Sequence, residues 1–120
     1  MTMARKNLGK YGEDLACDYL RSKGYTVLER NYKIKIGELD IIARQADLLV
    51  CVEVKTRKSL SYGYGLESIT WKKRQTIRKL AEYYYAVLRE PGLKVRIDVI
   101  DILLDAEGSL QQLRHIENAF

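Results

Sequence analysis

Asp40, Glu53 and Lys55 are the residues of this chain whose types and spacing could do chemistry. They lie in two apolar runs, 36–43 and 48–55, joined by a short turn through Gln45, Ala46 and Asp47. Both runs alternate as half-buried strands do. Leu48, Val50, Val52 and Val54 point one way, and Cys51, Glu53 and Lys55 the other. In the first run Leu39, Ile41 and Ala43 are expected on one face, opposite Glu38, Asp40 and Ile42. The ribbon then presents Asp40, Glu53 and Lys55 to one side. Ionised groups in strands this apolar are costly unless a metal or a partner charge compensates them.

Such a set suits metal-assisted hydrolysis. Hard oxygen donors on a sparse scaffold favour Mg²⁺ (or Mn²⁺), which keeps several waters and takes its remaining oxygens from phosphate. Asp40 and Glu53 would hold the ion. Lys55 would orient or help deprotonate the attacking water, or stabilise developing negative charge. The alternative is an ion pair of Lys55 with Glu53 or Asp40 at a strand end. Glu38 shares the predicted face of Asp40 and is open to three roles: second ligand, orienting group, or charge at the start of the strand. No Gly-rich phosphate loop precedes a helix, and no Ser/His/Asp or Cys/His set is arranged for covalent catalysis. The single histidine, His115, reads as a surface or packing residue.

The surrounding elements must position these side chains. A helix is expected over about 6–23, with Leu8, Tyr11, Gly12, Leu15 and Tyr19 on its apolar arc and Gly24 as its stop. Glu13 lies at the margin of that arc, while Asp14 and Asp18 fall outside it as solvated positions. Residues 25–32 read as a strand. After Lys55 the pattern becomes a loop rich in Gly, Ser and Tyr. Thr70 is the expected N-cap of a second long helix through about Arg89, buried along Ile77, Leu80, Ala81, Tyr84 and Leu88. Lys73 follows that stripe, one turn before Ile77, and is expected to point back at the sheet. Strands at 95–104 and 110–116 complete the order helix, three strands, helix, two strands. That is an α/β domain: a mixed central sheet of about five strands flanked by two long helices.

The 120 residues suit one domain over 1–120, with no internal boundary. Two cysteines, Cys17 and Cys51, form no disulfide framework and read as reduced, buried thiols. No signal peptide and no membrane-spanning run is visible, so a soluble, cytoplasmic protein with no membrane partner is expected. The net charge of +5 is weak evidence alone, but its distribution is uneven. Between Lys55 and Lys79 stand Arg57, Lys58, Lys72, Lys73, Arg74 and Arg78, against the single acid Glu67. Tyr62, Tyr64 and Trp71 are interleaved. Arg57, Lys58, Lys72, Lys73 and Lys79 are thus candidate nucleic-acid contacts, and the tyrosines candidate base-stacking groups. A solvated helix face is the competing reading.

Gly12-Glu13-Asp14-Leu15-Ala16, Gly37-Glu38-Leu39-Asp40-Ile41-Ile42-Ala43, Val52-Glu53-Val54-Lys55-Thr56-Arg57 and Arg96-Ile97-Asp98-Val99 together resemble the YraN-like family of bacterial proteins. The likeness runs nearly end to end, through Asn118-Ala119-Phe120. That family in turn resembles Holliday-junction resolvases and the restriction-endonuclease-like PD-(D/E)xK nucleases. Carried over, Asp40 matches the motif aspartate, Glu53 and Lys55 its (D/E)xK, and Glu13 the glutamate on the first helix of resolvase-like members. Leu39 stands where the motif has Pro. The resemblance implies a restriction-endonuclease-like core, a divalent cation and a nucleic-acid substrate. Resolvases work as dimers, which leaves a homodimer open.

The function expected is therefore a divalent-metal-dependent endonuclease hydrolysing phosphodiester bonds in structured DNA. Its rivals are a non-catalytic nucleic-acid-binding module on the same fold and, further off, an interaction protein whose carboxylates hold a structural ion.

Overall fold

The structure is a computed structural model that describes residues 5–58 and 69–120, with the backbone alone described for 5–7. The chain runs α1 (Arg5–Ser22), β1 (Thr26–Ile34), β2 (Gly37–Gln45), β3 (Leu48–Arg57), α2 (Trp71–Leu88), β4 (Lys94–Leu104) and β5 (Leu110–Ile116). The strands form one sheet in sequence order. β1–β2, β2–β3 and β4–β5 are antiparallel, whereas β3 and β4 are parallel and joined by the α2 crossover. This is the expected mixed five-stranded sheet with two helices, and it is compatible with a restriction-endonuclease-like core.

Each face of the sheet carries one helix. Ala16, Cys17 and Leu20 of α1 pack on Ile41, Ala43, Val50, Val52, Ile100 and Ile102. Ile77, Leu80, Ala81 and Tyr84 of α2 pack on Leu39, Ile42, Leu49, Cys51 and Ile97. Strand alternation sorts β3 between the two clusters as its sequence pattern requires. The caps are those the residue types favour. Thr70 accepts a hydrogen bond from Lys73 N at 3.1 Å. Gly24, at φ 92°, ends α1 in a Schellman turn closed by Tyr25 N donating to Leu20 O at 3.0 Å.

Three expectations are corrected. The buried centre of α1 runs along Gly12, Ala16, Cys17 and Leu20, while Leu8, Tyr11, Leu15 and Tyr19 are only half-buried flanks. Close approach to a sheet selects small residues at the contact line, and hydrophobicity alone places the arc on the larger ones. At Gly12 the approach is closest: a Cβ there would meet Thr56 Oγ1 at 1.8 Å.

Leu39 does not share a face with Ile41 and Ala43. It joins the α2 cluster with Tyr32, whereas Ile41 lies under α1. Asn31 sits between the Arg30↔Ile41 and Tyr32↔Leu39 pairs with φ 52°. A left-handed residue interrupts the pleat, so alternation resets across it. Asp14 is likewise more than a solvated position, because its Oδ1 accepts from Arg30 Nη2 at 2.7 Å.

Candidate functional site

The break at Asn31 falls opposite Asp40, and there β2 also parts from β3. The last paired residues are Ile41 and Val52. Beyond them the Asp40 side chain takes over the missing ladder bond: its Oδ2 accepts from Val54 N at 2.8 Å. Asp40 therefore stands in the fork between the two strands rather than on one face of an unbroken ribbon. Glu13, approaching on α1, and Glu53, facing α2, both sense its charge.

Glu53 is the most constrained acid of the group. It is 4% exposed. Burial first, then a hydrogen bond to Asp40 and that group's charge, push its carboxyl up to about 8, against the pull of Lys73 and Lys55. Its Oε2 is buried and has no hydrogen-bond partner among the described residues. Lys73 Nζ lies 3.5 Å away, near enough for an ion pair. The pair exists because Thr70 starts α2 where it does, which places Lys73 on the inward stripe, as its spacing predicts.

Lys55 is half-buried on the α2 face of β3, two residues beyond Glu53. Among the described residues it makes no ion pair within 4.0 Å. A strand-end pairing of Lys55 is thus absent there. Glu13 is half-buried; burial and the neighbouring Asp40 raise its pKa, opposed by a hydrogen bond from Asn31 and by Arg30. Glu38 adds a smaller like-charge effect on Glu13, which puts it at the rim of the same acidic group.

Among the described residues no three His, Cys, Asp or Glu side chains converge into a closed cation cage. The arrangement is an open one: two adjacent carboxyls, one with a buried oxygen that has no hydrogen-bond partner among the described residues. That chemistry fits a hydrated Mg²⁺, which is bound by one or two carboxylates and completes its shell with water and phosphate. It does not fit a closed structural zinc site, which needs four protein ligands.

The basic candidates are divided. Lys72 and Lys79 are exposed on α2, and Lys58 is half-buried just past β3. Arg57 is held by Asp101, whose oxygens accept from Nη2 at 2.9 and 2.8 Å, and its side chain is only 15% exposed. Tyr62, Tyr64 and Glu67 lie outside the described residues. Trp71 is 75% exposed at the start of α2.

Two charged networks beside the site escaped sequence reasoning in whole or part. Arg57–Asp101 depends on the parallel register that sets Lys55 against Asp101 and Arg57 against Leu103. On the α1 face Arg96 and Asp98 pair, and they also recruit His115. Asp98 accepts two bonds from Arg96 at 2.8 Å, one from Asn118 N at 3.0 Å, and lies 2.7 Å from His115 Nε2. Tyr19 of α1 reaches the other ring nitrogen at 2.9 Å. Burial alone would raise the Asp98 carboxyl; the His115, Arg96 and Asn118 bonds outweigh it and lower it. The network ties α1, β4 and β5 together. Cys17 and Cys51 are free and buried as expected, and burial pushes the Cys51 thiol up to about 12.

The model of uncharacterised protein family UPF0102 matches residues 12–102, a span that contains Glu13, Asp40, Glu53, Lys55 and Lys73. A UPF0102 protein of Pelotomaculum thermopropionicum is 44% identical over 120 residues, covering 100% of both chains. One of Dictyoglomus turgidum is 42% identical over 118 residues, covering 98% of this chain and 100% of its own. One of Clostridioides difficile is 42% identical over 118 residues, with the same coverage. This chain belongs to the uncharacterised protein family UPF0102, the YraN family.

Proposed function

We propose that this protein is a divalent-metal-dependent endonuclease that hydrolyses phosphodiester bonds in structured DNA. The observation that carries the reading is the buried Glu53 oxygen without a hydrogen-bond partner among the described residues, beside Asp40 and with Lys55 on the same face. Asp40 and Glu53 would hold Mg²⁺ or Mn²⁺, and Glu13, near Asp40, matches the helix glutamate of resolvase-like nucleases. Bound there, the cation would supply Lewis acidity and a lowered water pKa. Lys55 carries a charge not committed to an ion pair among the described residues, so it can orient the attacking water or meet the negative charge that develops on the phosphate. Lys58, Lys72 and Lys79 would contact backbone phosphates and set register without reading sequence. The buried reduced thiols of Cys17 and Cys51 support a cytoplasmic setting.

The Lys73–Glu53 pair favours one rival. It gives the acid a counter-charge without any metal, as a non-catalytic nucleic-acid-binding module on this fold would need. Linear, single-stranded and branched DNA, incubated with Mg²⁺, Mn²⁺ or chelator, separate the two. The endonuclease cuts with metal only, and Asp40→Ala and Lys55→Ala abolish the cuts while DNA binding survives. Binding without cleavage by the unaltered protein under every condition leaves the module.

A further inference from the structure

We propose that Lys73 is an exchangeable counter-ion: it occupies Glu53 before a divalent cation arrives and is then released to a DNA phosphate. This deepens the nuclease reading and rests on it. The geometry sets Lys73 apart from its neighbours on α2. Lys72 and Lys79 project into solvent, whereas Lys73 reaches under the helix to 3.5 Å from Glu53 Oε2. The two partners differ sharply in exposure: the side chain of Glu53 is 6% exposed and that of Lys73 44%. The acid is fixed in the sheet, while the lysine has open space on its outer side. Their contact is an ion pair without a hydrogen bond, since Oε2 has no such partner among the described residues. The pair offers Glu53 a counter-charge in the metal-free protein, while Lys55 makes no ion pair within 4.0 Å among the described residues. A cation bound to Glu53 and Asp40 supplies that balance and repels the ammonium. Lys73 stands in the first turn of α2, between exposed Trp71 and Lys72 and the sheet, so a phosphate beside the cation is its nearest alternative partner. Lysine suits the part: it is a single flexible point charge, where an arginine fork would resist release.

The test compares the full chain with Lys73→Met, Lys73→Arg and, as a control on the exposed side, Lys72→Met. Circular dichroism checks folding, and Lys73→Arg retains the charge should Lys73→Met lose structure. Mg²⁺ binding is first titrated calorimetrically without DNA, in one buffer for all variants. Lys73→Met is expected to bind Mg²⁺ about two- to fivefold tighter, the size of a half-exposed ion pair that need not be broken. Lys73→Arg is expected to bind no tighter than the unaltered protein. DNA affinity is then measured against salt, with Ca²⁺ as a cation expected not to support cleavage and with chelator. With Ca²⁺, Lys73→Met is expected to show a log–log slope shallower by roughly 0.9, one duplex phosphate contact. With chelator its slope is expected to equal that of the unaltered protein. Lys72→Met loses the same increment in both conditions. A slope deficit for Lys73→Met that is equal with and without Ca²⁺ makes Lys73 a constitutive phosphate contact and overturns the proposal. Unchanged Mg²⁺ affinity and unchanged slopes make it a structural ion pair only, with the same effect. If the unaltered protein binds no Mg²⁺, the nuclease reading falls as well; if it binds and cleaves while Lys73→Met behaves as wild type, only this proposal falls.

Discussion

At the scale of single residues, Glu53 shows a conflict between stability and the proposed chemistry. Its folded carboxyl titrates at about 8, against an ordinary 4.5. The folded chain therefore keeps a proton that the unfolded chain has released, and stability falls as pH rises between these values. Below about 4.5 both states hold the proton and the effect vanishes. Glu53→Gln removes the charge and keeps the shape. It is expected to raise the melting temperature of the metal-free protein at about pH 8 and to leave it nearly unchanged at about pH 5. Thermal unfolding at the two pH values checks this; equal shifts at both would mean that the carboxyl's charge is not what the fold resists. Asp98 works in the opposite sense. Its lowered carboxyl contributes stability above the ordinary aspartate range, and that contribution is lost as pH falls through its folded value. Asp98→Ala leaves Arg96 without its main partner inside the structure and is expected to cost about 3 kcal/mol, read from denaturant midpoints at neutral pH. Strand alternation made the shared face of Glu53 and Lys55 legible in the sequence. His115 was not, because only the β4–β5 register brings it to Asp98.

At the scale of elements, the site depends on two local departures from regularity. One is Gly12, where α1 comes against β3 closely enough that any Cβ collides with the Thr56 side chain. Gly12→Ala is expected to push α1 outward, cost about 1–3 kcal/mol, and move Glu13 away from Asp40. Thr56→Ala in the same chain removes Oγ1 and is expected to restore part of that loss, a coupling measurable in a double-mutant cycle. Additive losses would show that the helix does not bear on Thr56. The other departure is the left-handed Asn31, which breaks the β1–β2 pleat opposite Asp40 and bonds to Glu13. The helices, their caps at Thr70 and Gly24 and the inward stripe of α2 could be read from the chain, since each is set by neighbours within a turn or two. The face of Leu39 could not. A period-two pattern assumes an unbroken pleat, and one Asn in a polar stretch does not announce that it will interrupt it. Nor could the centre of α1 be read from hydrophobicity, because the contact line is made of Gly12, Ala16 and Cys17, whose merit is size.

At the scale of the whole molecule, two opposed fields meet at the fork of β2 and β3. The chain carries a net +5, yet Asp40 lies close enough to Glu13 and to Glu53 to raise the pKa of each, where the proposal seats a phosphodiester. On the proposed function the exposed lysines of α2 would supply attraction at a distance, and the acids would oppose close approach until a cation covered them. Under the proposed function affinity would be electrostatic, tolerant of sequence and steeply salt-dependent, while seating at the fork would demand the metal. Joint replacement of Lys72 and Lys79 by Gln is expected to weaken binding alike on unrelated duplexes and to reduce the log–log salt slope by roughly 1.8, two phosphate contacts. Melting temperature is expected to stay within a few degrees, because exposed lysines contribute little to folding. Titrations on two unrelated sequences over a range of salt concentrations decide it. A loss confined to one sequence would point to base contacts, and an unchanged slope would return these lysines to the status of ordinary solvated charge. The second outcome would also move the DNA path off α2, leaving Lys55 and Lys58 at the end of β3 to guide a phosphate in.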